Sequence, residues 1–192
     1  MSNYKTVFFI LGVLQIILGL SMIVPIMAQF YYNQVDSGFI GSGLVSIIFG
    51  VLFFLSNLDY EKKLTLPQAF LLTALSWLSI AIFGSLPFVF SDLSLSFTNA
   101  FFESMSGITT TGSTILTNLN ETPKAILLWR AMLQWLGGIG IIVMAITLMP
   151  IMNIGGMQLF VISNTHTPEK ILPKSKEISI RLIVIYSSLT LV

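Results

Sequence analysis

The chain has 192 residues, 55% of them hydrophobic and only 9% charged, with a formal net charge of +1 and a mean hydropathy of +0.91. Soluble domains carry about 25% charge, which excludes a soluble globular protein; nine Lys/Arg against eight Asp/Glu, with no basic stretch interleaved with aromatics, exclude a nucleic-acid binder. With no cysteine and His166 as the single histidine, disulfide scaffolds and zinc or non-haem iron sites lack ligands, and an integral membrane protein remains.

A helix needs roughly 20 apolar residues to cross the hydrocarbon layer. Uncharged runs of that order fall at residues 7–27, 39–58, 68–90 and 131–154, the last directly after Arg130. The first run exceeds a signal-peptide core and has no small-residue cleavage site, so it reads as a retained span. In the second, Ser42, Ser46 and Gly50 form a small-residue face suited to helix packing. Between the third and fourth runs, residues 94–108 predict a short helix capped by Ser94 or Ser96. At about 1.5 Å per residue, such a helix reaches only partway across the layer. Thr109-Thr110-Thr111-Gly112-Ser113-Thr114 follows, a poor helix former because threonine is β-branched and glycine admits unusual backbone angles. A half-length helix and an extended turn between two full spans predict a re-entrant loop, which survives at that depth only if protein buries it or water reaches it.

In the fourth run Gly137, Gly138 and Gly140 leave a stretch nearly bare of side chains, for close packing or, more sharply, a hinge. Trp77 and Trp135 carry no assignment, whereas Trp129 beside Arg130 is expected at the membrane interface. After Arg181 the uncharged run 182–192 is half a span, so the chain reads as the N-terminal part of a longer protein. Lys5, Lys62, Lys63, Lys170, Lys174, Lys176 and Arg181 fall on one side, which the positive-inside bias makes cytoplasmic and places the N-terminus there. Asp36, Asp92 and Glu121, against Lys124, give the opposite side a mildly acidic vestibule that favours cations. His166 has no assigned role, and the Asn120-Glu121-Thr122 sequon is a triplet common by chance.

The chemistry of the loop fits a cation path. A cation sheds water only where oxygens replace its hydration shell, and backbone carbonyls of an extended loop supply them. Thr110, Thr111, Gly112 and Ser113 are the candidate ligands; the bland reading is an ordinary Thr/Ser/Gly turn in an external loop. Glu103 on the short helix and Arg130 at the start of the fourth run are charges at membrane depth, where charges are costly and usually paired. They are expected to meet and brace the helix, the alternative being that both snorkel to water.

The stretch FFESMSGITTTGSTI, followed by LLWRAMLQWLGGIGIIVMAITLMP and the GGMQLF motif at 155–160, resembles the first pore repeat of the Trk/Ktr/HKT superfamily of potassium transporters. It is most similar to the bacterial TrkH branch, whose additional pair of spans the first two runs match. The resemblance implies an all-α polytopic membrane protein with a potassium-channel-like span, pore helix, filter strand and span. It divides the chain into an N-terminal helix pair at 1–62, a first pore repeat at 63–155, a cytoplasmic loop at 156–180 and the start of a second repeat at 181–192. It implies potassium uptake across the bacterial inner membrane, with potassium as the transported ion and no organic cofactor. It also implies four such repeats in one protein, a homodimer, and a cytoplasmic nucleotide-binding regulatory ring of the TrkA kind. One glycine and no following aromatic, where potassium channels have a doubled Gly and a Tyr, imply looser selectivity with fewer ordered layers. A non-transporting membrane scaffold is the alternative, though it leaves the half-length helix and its TTTGST turn unexplained. An intramembrane hydrolase lacks G-x-S-x-G, a histidine in the spans and an aspartate pair.

Overall fold

A computed structural model of the protein describes residues 4–33, 36–60, 64–93, 95–152 and 171–191. Ser94, Lys62, Lys63, His166, Lys170, the 155–160 motif and the first part of the 156–180 loop lie outside the described residues. The described elements are helices: α1 (Lys5–Ser21), α2 (Ile23–Tyr31), α3 (Gly38–Ser56), α4 (Leu66–Phe90), α5 (Phe97–Ile108), α6 (Lys124–Met152) and α7 (Ile171–Leu191). Lys5–Tyr31, Gly38–Ser56, Leu66–Phe90 and Lys124–Ile142 are long and apolar enough to cross a membrane. Two compact units divide the chain, one ending at Gly137 and one beginning at Gly138.

In the first unit, α1 and α2 form one span interrupted at Met22. Pro25 has no N–H to return to the Ser21 carbonyl, so the helix resets there. α1 and α3 then pack backbone to backbone through glycines two turns apart on each helix. A Cβ on Gly12 would stand 2.7 Å from the Gly50 oxygen, and one on Gly19 would stand 2.9 Å from the Gly43 oxygen. Ser42 and Ser46 are buried on α3, and their hydroxyls donate to the Gly38 and Ser42 carbonyls one turn back, which absorbs their polarity inside the helix.

α4 starts on a capping box in which Thr65 and Gln68 exchange hydrogen bonds. It joins the hairpin by two polar links. Gln15 Nε2 donates to Ser79 Oγ at 2.6 Å within the helical layer. At the loop end, the Asp36 carboxylate accepts from the Gly38 N–H at 2.8 Å and the Asp92 N–H at 3.3 Å. One acid of the expected vestibule thus caps α3 and ties down the connection leading into α5.

The core gathers at this same end, from Leu18, Met22, Phe39, Phe88, Ala100, Ile126, Trp129 and Leu133. Trp129, expected at the membrane interface, finds its partners inside the protein. It is fully buried, edge-on to Phe39, with its indole N–H donating to the Gly84 carbonyl at 2.9 Å. That partner permits the burial, since a buried indole needs an acceptor and α4 offers one.

α6 begins earlier than the apolar run. Asn118, at φ 57°, turns the chain, and the Pro123 carbonyl accepts from Ile126 and Leu127 N–H groups to start the helix. Charge ends an apolar run but not a helix, so Arg130 lies inside α6 rather than ahead of it. α7 likewise begins at Ile171, ahead of Arg181, with Pro173 in the first turn where its missing N–H costs nothing. Within the second unit, Tyr186 of α7 lies against α6, and a Cβ on Gly138 would stand 2.7 Å from its hydroxyl.

Candidate functional site

α5 is capped at Ser96, whose hydroxyl accepts the Asn99 N–H at 3.4 Å. Its spacing places Glu103, Ser106 and Gly107 on one face, three and four residues apart. The helix stops by folding its own end into the TTTGST loop. The Thr110 N–H donates to the Gly107 carbonyl at 2.9 Å and the Thr111 N–H to the Ser106 carbonyl at 3.1 Å. These two bonds make a Schellman cap, whose left-handed position is normally glycine. Here it is Thr110, at φ 59°. A β-branched residue held there costs of order 1–3 kcal/mol, so the surrounding bonds over-determine the turn. Gly112 follows at φ 84°, a second left-handed position two residues on.

The direction of the carbonyls follows from these bonds. In a trans peptide the C=O of one residue points opposite to the N–H of the next. The N–H groups of Thr110, Thr111 and, more weakly at 3.4 Å, Gly112 all face α5 carbonyls. The carbonyls of Thr109, Thr110 and Thr111 therefore face away from α5. Among the described residues, no donor meets the carbonyls of Thr110 or Thr111.

Gly112 and Ser113 are turned differently. Arg130 Nη2 donates to the Gly112 carbonyl at 3.0 Å and to the Ser113 carbonyl at 3.2 Å. Ser113 also accepts from the Ser106 hydroxyl at 2.6 Å. The four candidate ligands thus split into two carbonyls without a donor among the described residues and two that are held.

Glu103 and Arg130 come together. Arg130 Nε donates to Glu103 Oε1, and the carboxylate is fully buried while the Arg130 side chain is 17% exposed. Glu103 Oε1 also accepts from the Thr114 hydroxyl at 2.9 Å, and Oε2 from the Ile115 N–H at 3.0 Å. The carboxylate is thus surrounded by donors, and the guanidinium spends its remaining reach on loop carbonyls. An ion pair buried this way is maintained by its full set of hydrogen bonds rather than by Coulomb attraction alone.

The opposing face of α6 is set by the same spacing from Arg130. Leu133 packs against Gly107, Gln134 lies near Gly112, and Gly137 meets the end of α5. A Cβ on Gly137 would overlap the Ile108 carbonyl group, standing 2.7 Å from its carbon. The three glycines are therefore not equivalent: Gly137 admits α5, Gly138 faces Tyr186, and a Cβ on Gly140 would have nothing within 4 Å among the described residues. Thr109, Ser106 and Gln134 were not singled out from sequence. The Ser106 signal was present in its three-residue spacing from Glu103; nothing in the sequence marks Gln134.

A family model described as TrkH, cation transport protein, matches residues 5–192. The Trk system potassium uptake protein TrkI of Halomonas elongata is 38% identical over 183 residues, covering 95% of this chain and 37% of its own. The Trk system potassium uptake protein TrkH of Vibrio parahaemolyticus is 36% identical over 193 residues, covering 98% and 40%. The crystal structure of the potassium transporter TrkH from Vibrio parahaemolyticus matches with a TM-score of 0.85 at 34% identity, over 99% of this chain and 38% of that one. The chain spans about two fifths of the length of the curated relatives it matches.

Proposed function

The chain belongs to the TrkH family of cation transport proteins, a family of multi-pass membrane proteins, and we propose that it supplies the first of four filter segments in a potassium uptake protein. The observation that carries this reading is the common direction of the Thr109, Thr110 and Thr111 carbonyls, turned away from α5 by the N–H bonds to Ser106 and Gly107. A row of carbonyl oxygens replaces water around a potassium ion at little cost where, as among the described residues, no protein donor competes for them.

In this reading α5 is the pore helix, and residues 109–114 are the filter strand. Thr110 and Thr111 offer ligands to potassium, the transported substrate. Gly112 supplies the left-handed turn that keeps the strand close to α6. Glu103 and Arg130 brace the strand from behind, and Gly137 lets α6 approach the end of the pore helix. The chain then divides as an N-terminal helix pair to residue 62, a pore repeat from 63 to 155, a cytoplasmic loop from 156 to 180 and the start of a second repeat.

The basic residues Lys5, Lys174, Lys176 and Arg181 support an N-terminus on the cytoplasmic side of a bacterial inner membrane. On the same side, the 156–180 loop is the surface suited to a nucleotide-binding regulatory ring of the TrkA kind, and the complete protein is proposed to work as a homodimer. The test is rubidium uptake by the full-length protein in liposomes, with sodium in competition. Absence of uptake, or uptake indifferent to Gly112→Ser, would refute the assignment.

A further inference from the structure

Arg130 is the one feature of the site that a simple filter does not require. A brace for Glu103 uses Nε alone; Nη2 is directed instead at the Gly112 and Ser113 carbonyls, at 3.0 and 3.2 Å. Ser113 is claimed a second time by the Ser106 hydroxyl at 2.6 Å. A guanidinium is a permanent cation whose planar fork reaches several acceptors at once. A carbonyl already donated to by that group gives a passing cation a weakened dipole and a neighbouring like charge.

We propose that Arg130 fixes how many carbonyls this segment offers to the ion: it withholds those of Gly112 and Ser113, leaving a shortened ligand row at Thr109 to Thr111. The inference rests on the reading of residues 109–114 as a filter strand and adds a specificity-determining role for Arg130. Looser selectivity was inferred from the missing second glycine and aromatic; here a tethered cation is its physical cause. The guanidinium stands where a further layer of coordination would begin.

Two measurements test this on the full-length protein. In crystals grown with rubidium or thallium, anomalous density is expected beside the Thr110 and Thr111 carbonyls. An ion within about 3.2 Å of the Gly112 or Ser113 oxygen, the outer range of hydrogen-bond-like contact, would overturn the proposal without any variant. The second measurement is the potassium-over-sodium uptake ratio of Glu103→Gln combined with Arg130→Met. This neutral pair removes the cation, while the amide oxygen introduced on α5 still accepts the Ile115 N–H. Arg130→Lys accompanies it, keeping a charge for Glu103 but not the second nitrogen that reaches the two carbonyls.

In whichever variant assembles, the ratio is expected to rise at least threefold. An unchanged or lower ratio would overturn the proposal, because a merely structural Arg130 alters protein level and not ion preference. Loss of rubidium uptake by the unsubstituted protein, or no effect of Gly112→Ser, strikes at the filter assignment itself. Uptake sensitive to Gly112 but with a ratio indifferent to Arg130 refutes only the present proposal.

Discussion

Gly137→Ala isolates one contact between α5 and α6. The added methyl would stand 2.7 Å from the Ile108 carbonyl carbon and 3.1 Å from its Cα, and both atoms are backbone at the end of a helix. Returning that carbon to ordinary contact at 3.4 Å requires about 0.7 Å of separation, and the Ile108 oxygen, which the methyl would overlap outright, requires more. No side-chain rotation can supply it, so α6 and the end of α5 must part. Overpacking of this kind costs about 1–3 kcal/mol, against which alanine recovers up to about 1 kcal/mol of helix propensity. A net loss of at least about 1–2 kcal/mol is expected. The displaced residue lies next to Thr109 and Thr110, so ion preference is expected to fall along with stability. Gly140→Ala is the control: with nothing within 4 Å of the new methyl, only the propensity gain remains. The measurements are the thermal unfolding midpoint of the full-length protein in detergent and its rubidium-over-sodium uptake in liposomes. A Gly137→Ala protein with unchanged midpoint and unchanged preference would refute the packing argument.

Gly112→Ser is expected to keep the protein in the membrane and raise sodium uptake relative to potassium. The cause is the φ of 84°, worth roughly 1–2 kcal/mol of strain for a residue with a Cβ, rather than a clash, because the nearest atom is Gln134 Nε2 at 3.8 Å. Thr111→Val, which preserves the backbone carbonyl, is expected to have a milder effect on rubidium uptake; damage equal to Gly112→Ser would shift coordination to the hydroxyl. Glu103→Gln and Arg130→Gln should each lower assembled protein, since breaking a buried pair costs about 3–5 kcal/mol, the lower end applying to the partly exposed Arg130. The double change should cost less than the sum, and strictly additive losses in unfolding midpoint would deny the coupling. Cysteines introduced at Ser37 and Asn118 should react with an impermeant reagent from outside intact cells, and one at Ser175 should not; labelling of position 175 would reverse the proposed orientation.

The parts of the site legible in sequence are those where chemistry is expensive at membrane depth. A carboxylate at 103 and a guanidinium at 130 inside apolar stretches call for each other. Three threonines before a glycine cannot continue α5, which marks the loop. What stayed hidden depends on which groups meet across the fold. Composition suggests an interface for Trp129 but cannot show its acceptor, the Gly84 carbonyl of α4. Gly137, Gly138 and Gly140 read alike along the chain, yet one meets backbone, one a tyrosine and one nothing among the described residues. The apolar runs locate spans by charge, whereas α6 and α7 begin where hydrogen bonding allows, several residues earlier. Carbonyl directions were beyond reach because they depend on two φ angles and on Ser106, a residue with nothing unusual about its identity.

The α1–α3 hairpin bears on how the protein is made. Its glycines fall in a matched antiparallel register, Gly12 opposite Gly50 and Gly19 opposite Gly43, so these contacts close within the stretch from Lys5 to Ser56, ahead of α5 in the chain. Contacts this close in sequence form early, since little chain must be ordered to close them. The hairpin can be complete in the bilayer while the ribosome is still building α5, and it already carries Gln15 for α4 and Asp36 for the approach to α5. The polar, strained TTTGST loop thus emerges after the helix pair that ties down the approach to α5. Errors in the hairpin register should accordingly surface as failed insertion of a loop far downstream, with its own sequence untouched.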